Sequence, residues 1–72
     1  MKYAVVVERG PASYGAFVPD LPGCIAVADT REEVERLIEE AMALHVAGMQ
    51  QDGLDVPLPR TQVAVIDVPL ER

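Results

Sequence analysis

Apolar positions along the chain fall into three short runs, one long periodic stretch and a final short run. Tyr3-Ala4-Val5-Val6-Val7 is continuous and rich in β-branched residues, and predicts a first strand. Tyr14-Gly15-Ala16-Phe17-Val18 predicts a second strand, hairpinned to the first across the Arg9–Ser13 turn, with Gly15 permitting a bulge or a close backbone approach. Cys24 to Ala28 predicts a third. The first and third runs are apolar on both faces, whereas a strand with water on one side should alternate. After Thr30 the period changes from 2 to 3.6. Val34, Leu37, Ile38, Ala41, Leu44, His45, Gly48 and Met49 fall on one helical stripe, with Glu32, Glu35, Arg36, Glu39 and Gln50 largely away from it. The helix should run to Gln50 or Gln51. Gln62 to Val68 returns to strand character, and Pro69 stops it.

The boundaries are marked chemically. Val18 precedes a proline and is pushed towards extended backbone. Pro22-Gly23 signals a type II turn, in which Pro22 presets its own φ and Gly23 supplies the positive φ at the next position; Asp20 can accept from backbone amides inside the turn. Thr30 and Glu33 have capping-box spacing at the helix start, where Glu32, Glu33 and Glu35 also suit the positive end of the helix dipole. A Glu32–Arg36 pair stands at i,i+4 spacing. Gly53 should end the helical region, and Asp55 to Thr61 is a proline-punctuated connection.

The predicted order is β-β-β-α-β, an α+β domain. Three strands form an antiparallel meander, the one helix packs on one face, and a fourth strand returns through the helix to pair parallel with a strand of the meander. No second helix remains for the other face of the sheet. Its apolar side chains need a cover, which points to a partner or to a homodimer or larger assembly.

Seventy-two residues make one domain, 1–72, with a core of marginal size. Half of the residues are apolar, but only Tyr3, Tyr14 and Phe17 are aromatic, so the core must be aliphatic. A formal charge of −6 is the wrong sign for a nucleic-acid binder and suits either a soluble protein or one whose partner is basic. A single cysteine permits neither an internal disulfide nor a cysteine zinc set. No run has signal-peptide or membrane-spanning character, so a cytoplasmic protein is expected.

Candidate chemistry is thin. His45 lies within the apolar stripe with no nucleophile placed beside it, and Cys24 comes after a turn and enters a strand, where a buried small hydrophobe is expected. Glu8, Asp20, Asp29 and Asp67 are scattered, and each has a local structural role. Gly10, Gly15 and Gly23 lack phosphate-loop spacing. No catalytic residue, metal site or cofactor is expected.

Phe17-Val18-Pro19-Asp20-Leu21-Pro22-Gly23-Cys24, with Ala28-Asp29-Thr30-Arg31-Glu32-Glu33 after it and Pro57-Leu58-Pro59 later, resembles the HicB family of antitoxins. The likeness runs from about Tyr3 to Val68, with Ala28 where the family usually has Gly. It implies a cut-down ribonuclease-H-like fold and a binding module. Its partner would be a HicA-type toxin, a small basic RNA-cleaving protein whose active site the antitoxin covers. Candidate contacts are Asp20, Leu21 and Pro22 of the turn, with Tyr14. Many members carry a DNA-binding segment after this domain. None is expected here, so the chain alone should bind no operator. The alternatives are a stand-alone homo-oligomer without a toxin, or a nuclease remnant of the ribonuclease-H-like fold.

Overall fold

A computed structural model describes residues 1–71. The chain orders as β1 (Val6–Arg9), β2 (Tyr14–Phe17), β3 (Ile25–Ala28) and α1 (Arg31–Gln51). The strands form one antiparallel sheet in the order β1-β2-β3, with the helix on one face. The α+β meander and the helix read from the apolar pattern are therefore present. β1 starts three residues later than expected and ends at Arg9, and the ladder in β2 stops one residue short, at Phe17.

Each junction has a local cause. The amide of Gly10 donates to Ser13 O (2.8 Å) and closes the first hairpin. Pairing then runs unbroken through Gly15, which faces Glu8 on one side and Val27 on the other, so no bulge forms there. Two successive turns join β2 to β3. Leu21 N donates to Val18 O (3.1 Å), and Cys24 N donates to Leu21 O (3.0 Å). Gly23 takes φ +85° at the third position of the second turn, the position where a type II turn needs it.

The helix opens on Thr30, whose Oγ1 accepts from Glu33 N (3.1 Å). It closes in a Schellman arrangement at Gly53 (φ +69°), with Leu54 N donating to Met49 O (2.9 Å) and Gly53 N to Gln50 O (3.2 Å). On its exposed side Arg36 pairs with Glu40 (3.1 Å) and Arg31 with Glu35 (3.4 Å). The expected Glu32–Arg36 pair is thus replaced. Exposed helical pairs contribute only about 0.3–0.5 kcal/mol, so little energy separates one partner from another.

The core consists of Ala16, Val18, Leu21, Cys24, Ala28, Val34 and Ile38. Leu37, Ala41, Met42 and Val46 pack partly against it. Leu44, expected on the buried stripe, is 75% exposed, and Met42 and Val46 take the inward places instead. The helix lies mainly over β3 and β2, which selects the arc of its surface that is covered.

The expected fourth strand is absent. Residues 54–71 contain neither helix nor strand, and Val63, Val65, Ile66, Val68 and Leu70 are 70–95% exposed. The radius of gyration, 14.7 Å, exceeds the ~11 Å of a compact chain of this length. The longest dimension is 55 Å, well beyond the ~31 Å of a 21-residue helix. A strand exists through hydrogen bonds to a neighbouring strand, and among the described residues 62–71 make no backbone hydrogen bond to the rest of the chain.

Candidate partner-binding surface

The β2–β3 connection anchors the distal part of the chain as well as turning the sheet. Asp20 Oδ2 accepts from the amides of Arg60 (2.8 Å) and Thr61 (2.9 Å), and Oδ1 accepts from Thr61 Oγ1 (2.9 Å). These bonds span some forty residues of sequence. They hold the Asp20 carboxyl below its usual value, the Thr61 amide most strongly, then that of Arg60. Tyr3 Oη donates to Pro57 O on the way to this clasp. The proline-punctuated stretch is therefore fastened to the body at two points before the exposed tail begins.

The sheet register defines the face away from the helix. Val6, Phe17 and Ile25 share one row across the three strands; Glu8, Gly15 and Val27 share the row two residues away. Residues paired in this way project to the same side. Ala16 and Ala28, on the intervening positions, are buried against the helix, so these two rows face outward. Phe17 is 39% exposed, Ile25 67% and Val27 66%. With no side chain at Gly15, an apolar patch runs from Phe17 to Val27 with Glu8 at its margin. It is the uncovered face that the doubly apolar strands imply, and its members are set by the register, which the sequence does not display.

Of the four residues singled out from the sequence, three share the β2–β3 turn and Tyr14 stands apart from them. Leu21 is fully buried and belongs to the core. The tandem turns fold it inward. Asp20 is engaged by Arg60 and Thr61, and Pro22 is exposed beside it. Tyr14 starts β2, at the opposite end from that turn, and packs partly against the core. The clasp partners Arg60 and Thr61 were not foreseen. An Asp in a turn announces an acceptor, but not a donor forty positions away.

Cys24 is buried, and burial pushes its thiol up, away from the thiolate form. His45 is half-buried on the helix. No group of three or more His, Cys, Asp or Glu side chains converges among the described residues. No described helix is long and apolar enough to cross a membrane.

Comparison with known proteins agrees with this architecture. The sequence model of the family described as "HicB_like antitoxin of bacterial toxin-antitoxin system" matches residues 3–69. A UPF0150 protein of Helicobacter pylori is 39% identical over 49 residues, 68% of each chain. An uncharacterized 14.9 kDa protein of Haemophilus phage HP1 is 35% identical over 57 residues, 79% of this chain and 43% of the phage protein. Antitoxin HicB 2 of Photorhabdus laumondii is 29% identical over 70 residues, 96% of this chain and 50% of the relative. The chain thus spans about half the length of two of these relatives. In a solved HicA3 and HicB3 toxin–antitoxin complex, one chain superposes with a TM-score of 0.70 at 23% identity, covering 83% of this chain and 70% of the other, a likeness of fold. The match over nearly the whole domain, on a sheet and helix of the same kind, places this chain in the HicB-like antitoxin family.

Proposed function

We propose that this domain neutralises a HicA-type RNA-cleaving toxin by covering the toxin's active site, and does no chemistry of its own. The observation that carries the reading is the outward sheet face of Phe17, Ile25 and Val27, apolar and exposed, in a chain of net charge −6 that belongs to an antitoxin family. An apolar face on a chain of net negative charge suits a basic partner: the face supplies affinity, and the charge supplies steering. Pro22 and Asp20 sit just beyond the Phe17–Ile25 row and form the rim of this contact. Tyr14, paired with Ala28 at the far end of β2, lies on the helix side of the sheet and outside this face. Leu21 acts from inside, by holding the turn's shape.

The domain is also proposed to self-associate, and to complete the ribonuclease-H-like β-β-β-α-β arrangement once residues 62–68 have a sheet edge to pair with. The test of the toxin reading is inhibition of RNA cleavage by a HicA-type toxin from the same genome, titrated with this chain. Stoichiometric inhibition is expected, weakened at least tenfold by Ile25→Asp/Val27→Asp with helical circular dichroism retained. No inhibition by the parent chain overturns the function. Full inhibition by the variant overturns the choice of face.

A further inference from the structure

The exposed tail and an open edge of the sheet fit each other. β1 is an edge strand whose outer backbone N–H and C=O groups have no ladder partner. Because the helix lies mainly over β3 and β2, the inner side of β1 is left partly open. The shallow groove there consists of two adjoining depressions that share Met42: one is lined by Tyr3, Met42 and Val46, and the other by Val5, Val7, Ile38 and Met42 together with the charged Arg31, Glu35 and Glu39. An open apolar edge of this kind is a template for another strand. Val63, Val65, Ile66 and Val68, in the segment with strand-forming sequence, are 70–95% exposed.

The clasp decides whose tail enters the groove. The chain passes Tyr3, just before β1, at Pro57, and reaches Asp20, in the β2–β3 connection, at Arg60 and Thr61. By residue 62 it has crossed the end of the sheet, away from the β1 edge. To lie along its own β1 it would have to reverse at once.

We infer that residues 62–68 pair as an added strand along β1 of a second copy of this chain, each copy giving its tail to the other about a two-fold axis. Reciprocal addition of a strand to a free sheet edge is an established mode of recognition and a low-cost route to a dimer. The lengths agree: seven residues from Gln62 to Val68 span roughly 23 Å as a strand, as do the seven from Tyr3 to Arg9. The area agrees as well. The four exposed aliphatic side chains of each added strand, at on the order of 100 Å² each, give on the order of 800 Å² for two tails. With the groove walls that they cover, the total reaches the ~1,200–2,000 Å² of a stable interface. The inference rests on the self-association proposed above and is independent of the toxin.

The test is sedimentation of the full chain at tens of micromolar, with amide hydrogen exchange under the same conditions. A dimer is expected, with the amides of 62–68 protected in proportion to the dimer fraction. Val65→Asp/Ile66→Asp should raise the dimer dissociation constant at least tenfold without loss of helicity, because both side chains are exposed in the single chain. A monomer with unprotected tail amides overturns both self-association and strand exchange. A monomer with protected tail amides means that the tail folds onto its own β1, and overturns the exchange. A dimer that tolerates the double substitution, or whose tail amides exchange freely, overturns the exchange and leaves self-association through another surface.

Discussion

Leu21 and Ile66 are aliphatic side chains of the same size, each outside regular structure, and they occupy opposite environments: Leu21 is fully buried and Ile66 is 78% exposed. The difference lies in the backbone. Around Leu21 each turn is closed by a hydrogen bond, to Val18 O and from Cys24 N, and strands on both sides fix where the turn points. Around Ile66 the last attachment is at Thr61, and among the described residues no hydrogen bond holds the path beyond it. A residue's apolarity says that it is better buried; the hydrogen bonds around it decide whether its own chain supplies the site.

Leu21→Ala tests this contrast most severely. Truncating a buried leucine costs about 2–5 kcal/mol, a large part of the ~4–11 kcal/mol available to a chain of this length. Urea unfolding monitored by helical circular dichroism should show the variant largely unfolded at modest denaturant. Ile66→Ala in dilute solution should change stability by less than ~0.5 kcal/mol, as exposed substitutions do. Equal effects from the two would mean that the tail is as much part of the folded body as the turn.

Two glycines sharpen the contrast from the backbone side. A Cβ at Gly23 or at Gly48 would meet nothing within 4 Å, so steric crowding separates neither from alanine. Conformation separates them. Gly23 holds φ +85° in its turn, whereas Gly48 sits inside α1. Gly23→Val should destabilise by about 1–3 kcal/mol, the cost of a β-branched residue in the left-handed region. Gly48→Ala should stabilise by about 0.5–1 kcal/mol through helix propensity alone. Thermal melts of the two variants, moving in opposite directions, would confirm that the turn and not the space around it makes Gly23 necessary. Next in size, Thr30→Ala should cost about 1 kcal/mol by removing the acceptor for Glu33 N.

How much of this was legible in the residues depended on how local the cause was. The Pro22-Gly23 turn, the Thr30 cap and the Gly53 stop are each decided within about six residues, and all three read correctly from the chain. Gln62–Val68 carries the same β-branched signal as β1 but forms no strand, because pairing needs a second partner that composition does not specify. Leu44 fits the helical period yet is exposed, because the period does not say how the helix is rotated over a three-stranded sheet. The outward patch was legible as a need for cover, while its members Phe17, Ile25 and Val27 required the register. Leu21 was ambiguous for a related reason: a turn signal locates the bend and leaves open which side chain points inward.

The smallest expected effect concerns the clasp, the boundary between the two regions. The Asp20 carboxylate accepts from Thr61 N, Arg60 N and Thr61 Oγ1, and its pKa is lowered from the ordinary 3.8, chiefly by the Thr61 amide. A depressed folded-state value means that the carboxylate's contribution is fully present above about 3.8 and is lost as pH falls through the lower, folded value. At neutral pH the clasp is therefore wholly engaged, and acid should loosen it before the core responds. An acid titration of the Thr61 amide resonance should track the carboxyl with a midpoint below 3.8. Asp20→Asn removes the charge and turns an amide N–H₂ towards the Thr61 hydroxyl. It should speed hydrogen exchange at Arg60 and Thr61 while leaving the urea midpoint of the body nearly unchanged, since the carboxylate sits at the surface and no core side chain depends on it. A midpoint at or above 3.8, or unchanged exchange at both amides in Asp20→Asn, would show that the tail is held by something other than this carboxylate. A urea midpoint that fell with the clasp would show that the tail stabilises the body, and that the boundary drawn between them at Thr61 is misplaced.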